Sequence, residues 1–121
     1  MLNLDTHMLL DAFFLNLSRT ERRLLERDSW CVSAIVLWEI ELLARGGRIR
    51  VDLSSSELLG LLAQVLIVPI DVNIARGIRL LDFRSDPADE LIAATSLQMN
   101  VPLVTRDENI RKSRIVPLVQ F

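Results

Sequence analysis

Short runs of β-forming residues recur along this chain, each separated from the next by a segment long enough for a helix. Met1 to Asp5, Trp30-Cys31-Val32-Ser33-Ala34, Leu66-Ile67-Val68-Pro69 and Leu103-Val104-Thr105 are four such runs. Ile115 to Val119 reads as a fifth, at an edge where Pro117 is tolerated. Strands joined by helical crossovers run parallel, and parallel sheets are covered on both faces. The expected fold class is therefore α/β, a three-layer α/β/α arrangement around a central parallel sheet.

The intervening segments carry helix punctuation. Thr6 to Phe14 places Met8, Leu9, Ala12 and Phe13 at helical spacing. Ser18-Arg19-Thr20-Glu21 reads as a capping box that opens a helix through about Asp28. Ile35 to Arg45 is helical and stops at Gly46-Gly47. Ser54-Ser55-Ser56-Glu57 reads as a second capping box, for a helix to about Val65, and Asp71 caps one from Val72 to about Phe83. Asp86 is a capping carboxylate with Pro87 at the first helical position. That helix runs to about Met99, with a polar stripe at Glu90, Ala94 and Gln98.

The 121 residues form one expected domain, 1–121, able to bury roughly two thirds of its unfolded surface. Half the residues are hydrophobic, an excess that a core plus a partner interface accounts for. No apolar run approaches the ~20 residues of a membrane helix. The start lacks a basic leader and a cleavable apolar segment, so a cytoplasmic location is expected. Cys31, the single cysteine, has no disulfide partner and is expected in the core. Net charge is -2, yet Lys112 is the only lysine among 14 basic residues. The rest are arginines, which suit bidentate contact with phosphate or carboxylate.

Acids fall where such a sheet places its ligand site, beyond the carboxyl ends of the strands. Asp5 ends strand one, and Asp107 follows strand four. Glu39 lies about one and a half turns into the helix after strand two, on an arc with Ile35, Trp38, Leu42 and Leu43. Asp86 and Asp89 open the helix that leads to strand four. If strands one, two and four are neighbours, these carboxylates crowd together and repel unless a hard divalent cation sits among them. Ligation by oxygen alone favours Mg²⁺ or Mn²⁺ over Zn²⁺. Each residue also has a simpler reading. Asp5, Asp86 and Asp107 can be helix caps, and Asp89 a first-turn anion favoured by the helix dipole. Glu39 can be half of a salt bridge, Ser33 and Thr105 ordinary β-residues, and His7 a structural side chain.

Four segments in order, Leu4-Asp5-Thr6-His7, Val32-Ser33-Ala34 through Leu37-Trp38-Glu39-Ile40, Asp86 through Thr95, and Val104-Thr105-Arg106-Asp107, resemble the motifs of the PIN-domain family. The resemblance is strongest to the VapC-like toxin ribonucleases of type II toxin–antitoxin modules and spans nearly the whole chain. It implies a single PIN-like domain in which Asp5, Glu39, Asp89 and Asp107 are both the catalytic acids and the metal ligands. Thr105 would orient the site, Asp86 would shape its helix start, and Ser33 would support. Arg84 and Arg106 would steer an RNA backbone. Glu90 stands where relatives often carry arginine, which weakens a phosphate contact there. The implied activity is Mg²⁺- or Mn²⁺-dependent endoribonuclease cleavage, with a cognate antitoxin as partner and a homodimer as assembly. Leu9, Phe13, Phe14, Ile40 and Leu43 are interface candidates, though core packing is the commoner role for such residues.

Three alternatives stand beside this reading. One is a non-catalytic PIN-like module that binds RNA or protein. Another is a phosphoacceptor domain, which would need a second acid flanking Asp5 and a differently placed lysine. The weakest is a nucleotide-binding fold, for which there is no glycine-rich loop.

Overall fold

In the computed structural model, which describes residues 1–121, the four leading β-runs form one parallel sheet. Strands β1 (Leu2–Leu4), β2 (Trp30–Ser33), β3 (Leu66–Val68) and β4 (Leu103–Val104) lie in the order β3-β2-β1-β4. Asn3 sits between Cys31 and Leu103, which sets the register across the centre. The fifth run is not a strand. It touches the sheet through a single bridge, Leu103 to Leu118, beside β4, because Pro117 has no N–H to extend a ladder.

Helices α1 (Thr6–Phe13) and α2 (Arg19–Glu26) connect β1 to β2. Helices α3 (Ile35–Arg45) and α4 (Ser56–Leu62) connect β2 to β3. Helices α5 (Val72–Gly77) and α6 (Pro87–Met99) carry the chain back past β1 to β4, and α7 (Glu108–Arg111) follows. Right-handed crossovers in opposite directions place α1–α4 on one face and α5–α6 on the other. The burial pattern agrees. Leu4, Met8, Leu9, Leu25, Val36, Ile40, Leu58 and Leu62 fill the main core, Cys31, Val68, Ile74 and Ala94 fill a smaller cluster, and α6 bridges the two by adding Ile92 and Ala93 to the first. Cys31 is thus core filler, and burial pushes its thiol pKa up. No helix is long and apolar enough to cross a membrane.

The capping box at Ser18 and Glu21 forms in both directions. The second expected box does not. Ser55 is the cap of α4, accepting from the Leu58 N–H, and Glu57 turns to the Ser55 and Ser56 hydroxyls. Asp71 caps α5 at Ile74, but that helix ends at Gly77 and passes into one 3₁₀ turn, Ile78–Leu80. Gly77 lies against Gln98 of α6, where a Cβ would come within 2.9 Å of the side-chain amide. The polar stripe expected on α6 is interrupted, since Ala94 is fully buried. Asn100 closes α6 in the left-handed conformation (φ 54°), a role this side chain fills more readily than most.

On α3 the buried face is Val36 and Ile40, whereas Trp38 is 53 % exposed. The arc of Ile35, Trp38, Leu42 and Leu43 is therefore not one buried face: Ile35 and Leu43 pack at the edge of the core while Trp38 meets solvent. Leu9 and Ile40 are likewise fully buried and unavailable to an interface, while Phe14 is exposed. Ile40→Ala is expected to lower unfolding free energy by about 2–5 kcal/mol through the cavity it leaves. Urea denaturation measures this, and a loss below about 1 kcal/mol would show a loosely packed core.

Candidate metal centre

The chain order reverses at β1. From β1 it steps to β2 and β3, then returns to place β4 on the other side. The carboxyl ends of β1 and β4 thus open a crevice at the switch point of the sheet, where α/β folds bind ligands. Asp5 and Thr105 are the residues immediately beyond those two strand ends. A cavity of about 450 Å³ lies there, lined by Asp5, His7, Glu39, Asp86, Asp89 and Asp107 with Met8 and Arg106. All five acids singled out in the sequence reach this one cavity.

Each acid is positioned by its element. Asp5 caps α1, one carboxylate oxygen accepting from the Met8 N–H at 2.8 Å. Its other oxygen accepts from the buried Thr105 hydroxyl at 2.5 Å. Thr105 Oγ1 also accepts from the Asp107 N–H at 3.0 Å, so one hydroxyl fixes both acids. Asp107 caps α7 through the Ile110 N–H at 2.9 Å. Glu39 accepts from the Thr6 hydroxyl of α1, and Asp89 from the Ser85 hydroxyl at 2.9 Å. Asp86 occupies the cap position of α6, but its side chain makes no capping bond. The expected helix-shaping role therefore falls away, and its carboxylate lines the cavity instead.

The electrostatics follow from this packing. Burial raises the pKa of Asp5, Glu39 and Asp89 above the ordinary carboxylate range. Asp89 adds repulsion to both Asp5 and Glu39, and Asp86 and Asp107 add it to Asp89. Hydroxyl donors orient three of these carboxylates without neutralising them. The rim cation is already committed. Arg106 clamps Glu21 through Nε (2.8 Å) and Nη2 (2.7 Å) and pairs with Asp11. This guanidinium holds the Glu21 carboxyl down at about 2.

No three His, Cys, Asp or Glu side chains come close enough to form a closed metal cage. The acids ring an open cavity, set apart as like charges will lie. The donor set nonetheless fits a hard divalent cation: it is all oxygen, anionic, firmly oriented and without a protein counter-charge. Ser33 does not belong to it. The side chain is fully buried and accepts from the Ile35 N–H at 3.3 Å, away from the cavity lining. Arg84 lines a neighbouring cavity. Sequence reasoning passed over Thr6 and Ser85, the hydroxyls that hold Glu39 and Asp89. Their adjacency to Asp5 and Asp86 was the available signal, but nothing local says which carboxylate each will meet.

Fold and site together define a parallel α/β domain with an acid-lined crevice at the switch point. The PIN domain model matches residues 3–115, and the chain belongs to the PIN-domain family. No curated protein gives a significant match. Among solved structures, VapBC2 from Rickettsia felis, bound to a DNA fragment from its promoter, has a TM-score of 0.77 at 19 % identity. The match covers 98 % of each chain. A toxin–antitoxin complex from Klebsiella pneumoniae has a TM-score of 0.70 at 20 % identity, covering 93 % of this chain and 92 % of that one. FitAcB from Neisseria gonorrhoeae has a TM-score of 0.67 at 20 % identity, covering 99 % and 97 %. At these identities the likeness is one of fold.

Because Asp5, Glu39 and Asp89 hold protons more tightly folded than unfolded, metal-free stability should rise as pH falls from neutrality through their raised values. Glu21 acts oppositely: its contribution is present above the ordinary glutamate value and is lost as pH falls toward about 2. Metal-free thermal stability should therefore peak between these limits, on the acidic side of neutrality. Asp89→Asn should raise the metal-free melting temperature at neutral pH and flatten the neutral limb. A wild-type profile that climbs steadily toward neutral pH would contradict this electrostatic account.

Proposed function

We propose that this chain is a Mg²⁺- or Mn²⁺-dependent endoribonuclease, the toxin of a toxin–antitoxin pair. The observation that carries the reading is the convergence of Asp5, Glu39, Asp86, Asp89 and Asp107 on one cavity in a PIN-family chain. Asp5, Glu39, Asp89 and Asp107 would hold the ion. When bound, it would activate water, polarise the scissile phosphate and stabilise the leaving 3′-oxygen.

The protein's own contribution is orientation and charge. Thr105 locks the Asp5 carboxylate from one side while the Met8 N–H locks it from the other. Thr6 ties Glu39 of α3 to α1, so the site spans two helices that pack on the same core. Asp86, free of capping duty, adds anionic charge at the rim. The Arg106 clamp joins β4 to α2 and keeps the Thr105–Asp107 corner in place, leaving Arg84 better suited to meet substrate. The fold likeness to toxin–antitoxin complexes supports an antitoxin as partner. A homodimer would give the exposed Trp38 and Phe14 a partner surface.

The open spacing of the acids is the one observation that favours a second reading, a PIN-like module that binds RNA or protein without cutting. Cleavage assays separate the two. With Mg²⁺ or Mn²⁺, single-stranded RNA should be cut, EDTA should stop the reaction, and Asp5→Asn should lower the rate by at least about 10³-fold with the fold intact. Cleavage by Asp5→Asn at the wild-type rate, or cleavage that persists in EDTA, would defeat the assignment.

A further inference from the structure

Beside the acid cavity, on the other side of the α6 start, lies a second cavity of about 400 Å³ lined by Ile78, Arg79, Leu81, Phe83, Arg84 and Glu90. Ser85 is the partition between the two. Its hydroxyl donates to Asp89 of the acid cavity, and its N–H donates to Glu90 of the second at 3.2 Å. The floor is apolar, from the half-buried Ile78, Leu81 and Phe83, and the walls carry two exposed arginines and the Glu90 carboxylate, which the Ser85 N–H holds on the partition side.

Neither arginine has a carboxylate within ion-pair distance, since the ion pairs of the chain involve only Arg106 and the N-terminus. Yet the loop that presents Arg84 is tied down on both sides. Asp82 accepts from the Ser113 hydroxyl at 2.6 Å and the Arg114 N–H at 2.8 Å, and the Asn109 side chain donates to the Arg84 carbonyl at 2.9 Å. A fixed backbone thus presents free guanidinium groups. Arg76 extends the basic line along α5, sharing a shallow depression with Arg79.

We infer that this cavity is a subsite for the strand flanking the scissile phosphate, seating one unstacked nucleotide of single-stranded RNA; the inference rests on the ribonuclease reading. A ring of carboxylates repels phosphate, so a polyanion reaches it only from an attractive neighbouring surface. Arg79 and Arg84 supply planar donors matched to phosphate oxygens. Phe83 and the aliphatic floor supply a surface for a base, the combination by which unpaired nucleotides are held. An acidic peptide would use the arginines but has no need of the aromatic floor or of continuity with the acid cavity.

The test uses the Asp5→Asn chain, in which cleavage is blocked, and a fluorescent single-stranded RNA of about ten nucleotides. Adding Arg79→Gln and Arg84→Gln should weaken binding by about tenfold or more and shallow the salt dependence by one to two phosphate contacts. Lysine at both positions should restore part of the affinity. In the Asp5-intact chain the same glutamine pair should raise KM for RNA far more than it lowers kcat. Unchanged RNA affinity in the glutamine pair would overturn the subsite, as would a lost polyglutamate contact with RNA binding intact. If the intact chain cuts no RNA, the ribonuclease reading fails while the binding arm still decides the subsite.

Discussion

One buried hydroxyl joins the two ends of the chain. Thr105 donates to Asp5 across the crevice between β1 and β4 and accepts from the Asp107 N–H. Both strands must be in register for that bond to form, and the register is set by Asn3 against Leu103 and Leu4 against Val104. Asp5 is then fixed twice, by Thr105 and by the first turn of α1. The remaining acids are arranged around it, Glu39 through Thr6 and Asp89 through Ser85. Hydroxyls suit this task because they direct a carboxylate without cancelling its charge.

The cost of such a site is carried elsewhere. Half-buried like charges disfavour the folded state, and the large main core offsets them. Arg106 does not neutralise the pocket. It binds Glu21 and Asp11 on the flank and so braces the corner that carries Thr105 and Asp107. Asn3 shows a related tension. Its amide donates to the Ile92 carbonyl and the Ser96 hydroxyl of α6, while its own oxygen is buried without a partner.

Much of this fold was legible in the residues because parallel sheets impose a strong pattern. Apolar runs at Leu2, Trp30, Leu66 and Leu103, spaced by helix-length segments, leave few other architectures. Four of the acids were legible for the same reason, since Asp5 and Asp107 sit just past a strand and Asp86 and Asp89 at a helix start. The apolar arc around Glu39 does not account for its place, because Ile35 and Leu43 only edge the core and Trp38 beside it is exposed. Glu39 faces the site because the buried pair Val36 and Ile40 sets the rotation of α3. Asp86 was misread because its pairing with Pro87 signals a cap, and only the structure shows that its carboxylate makes no capping bond. Side-chain pairings such as Ser85 with Asp89, or Arg106 with Glu21, depend on tertiary placement that local patterns do not encode.

Mn²⁺ titration by calorimetry, run at neutral pH and again at lower pH where protons compete with the metal for the raised carboxyls, reads the central claim most directly. Binding should occur with measurable proton release, seen as an enthalpy that varies with the ionisation heat of the buffer, and Asp5→Asn should abolish it. Absence of Mn²⁺ binding by the wild-type chain, or equal binding after Asp5→Asn, would contradict a metal centre built on Asp5 at the β1–β4 crevice.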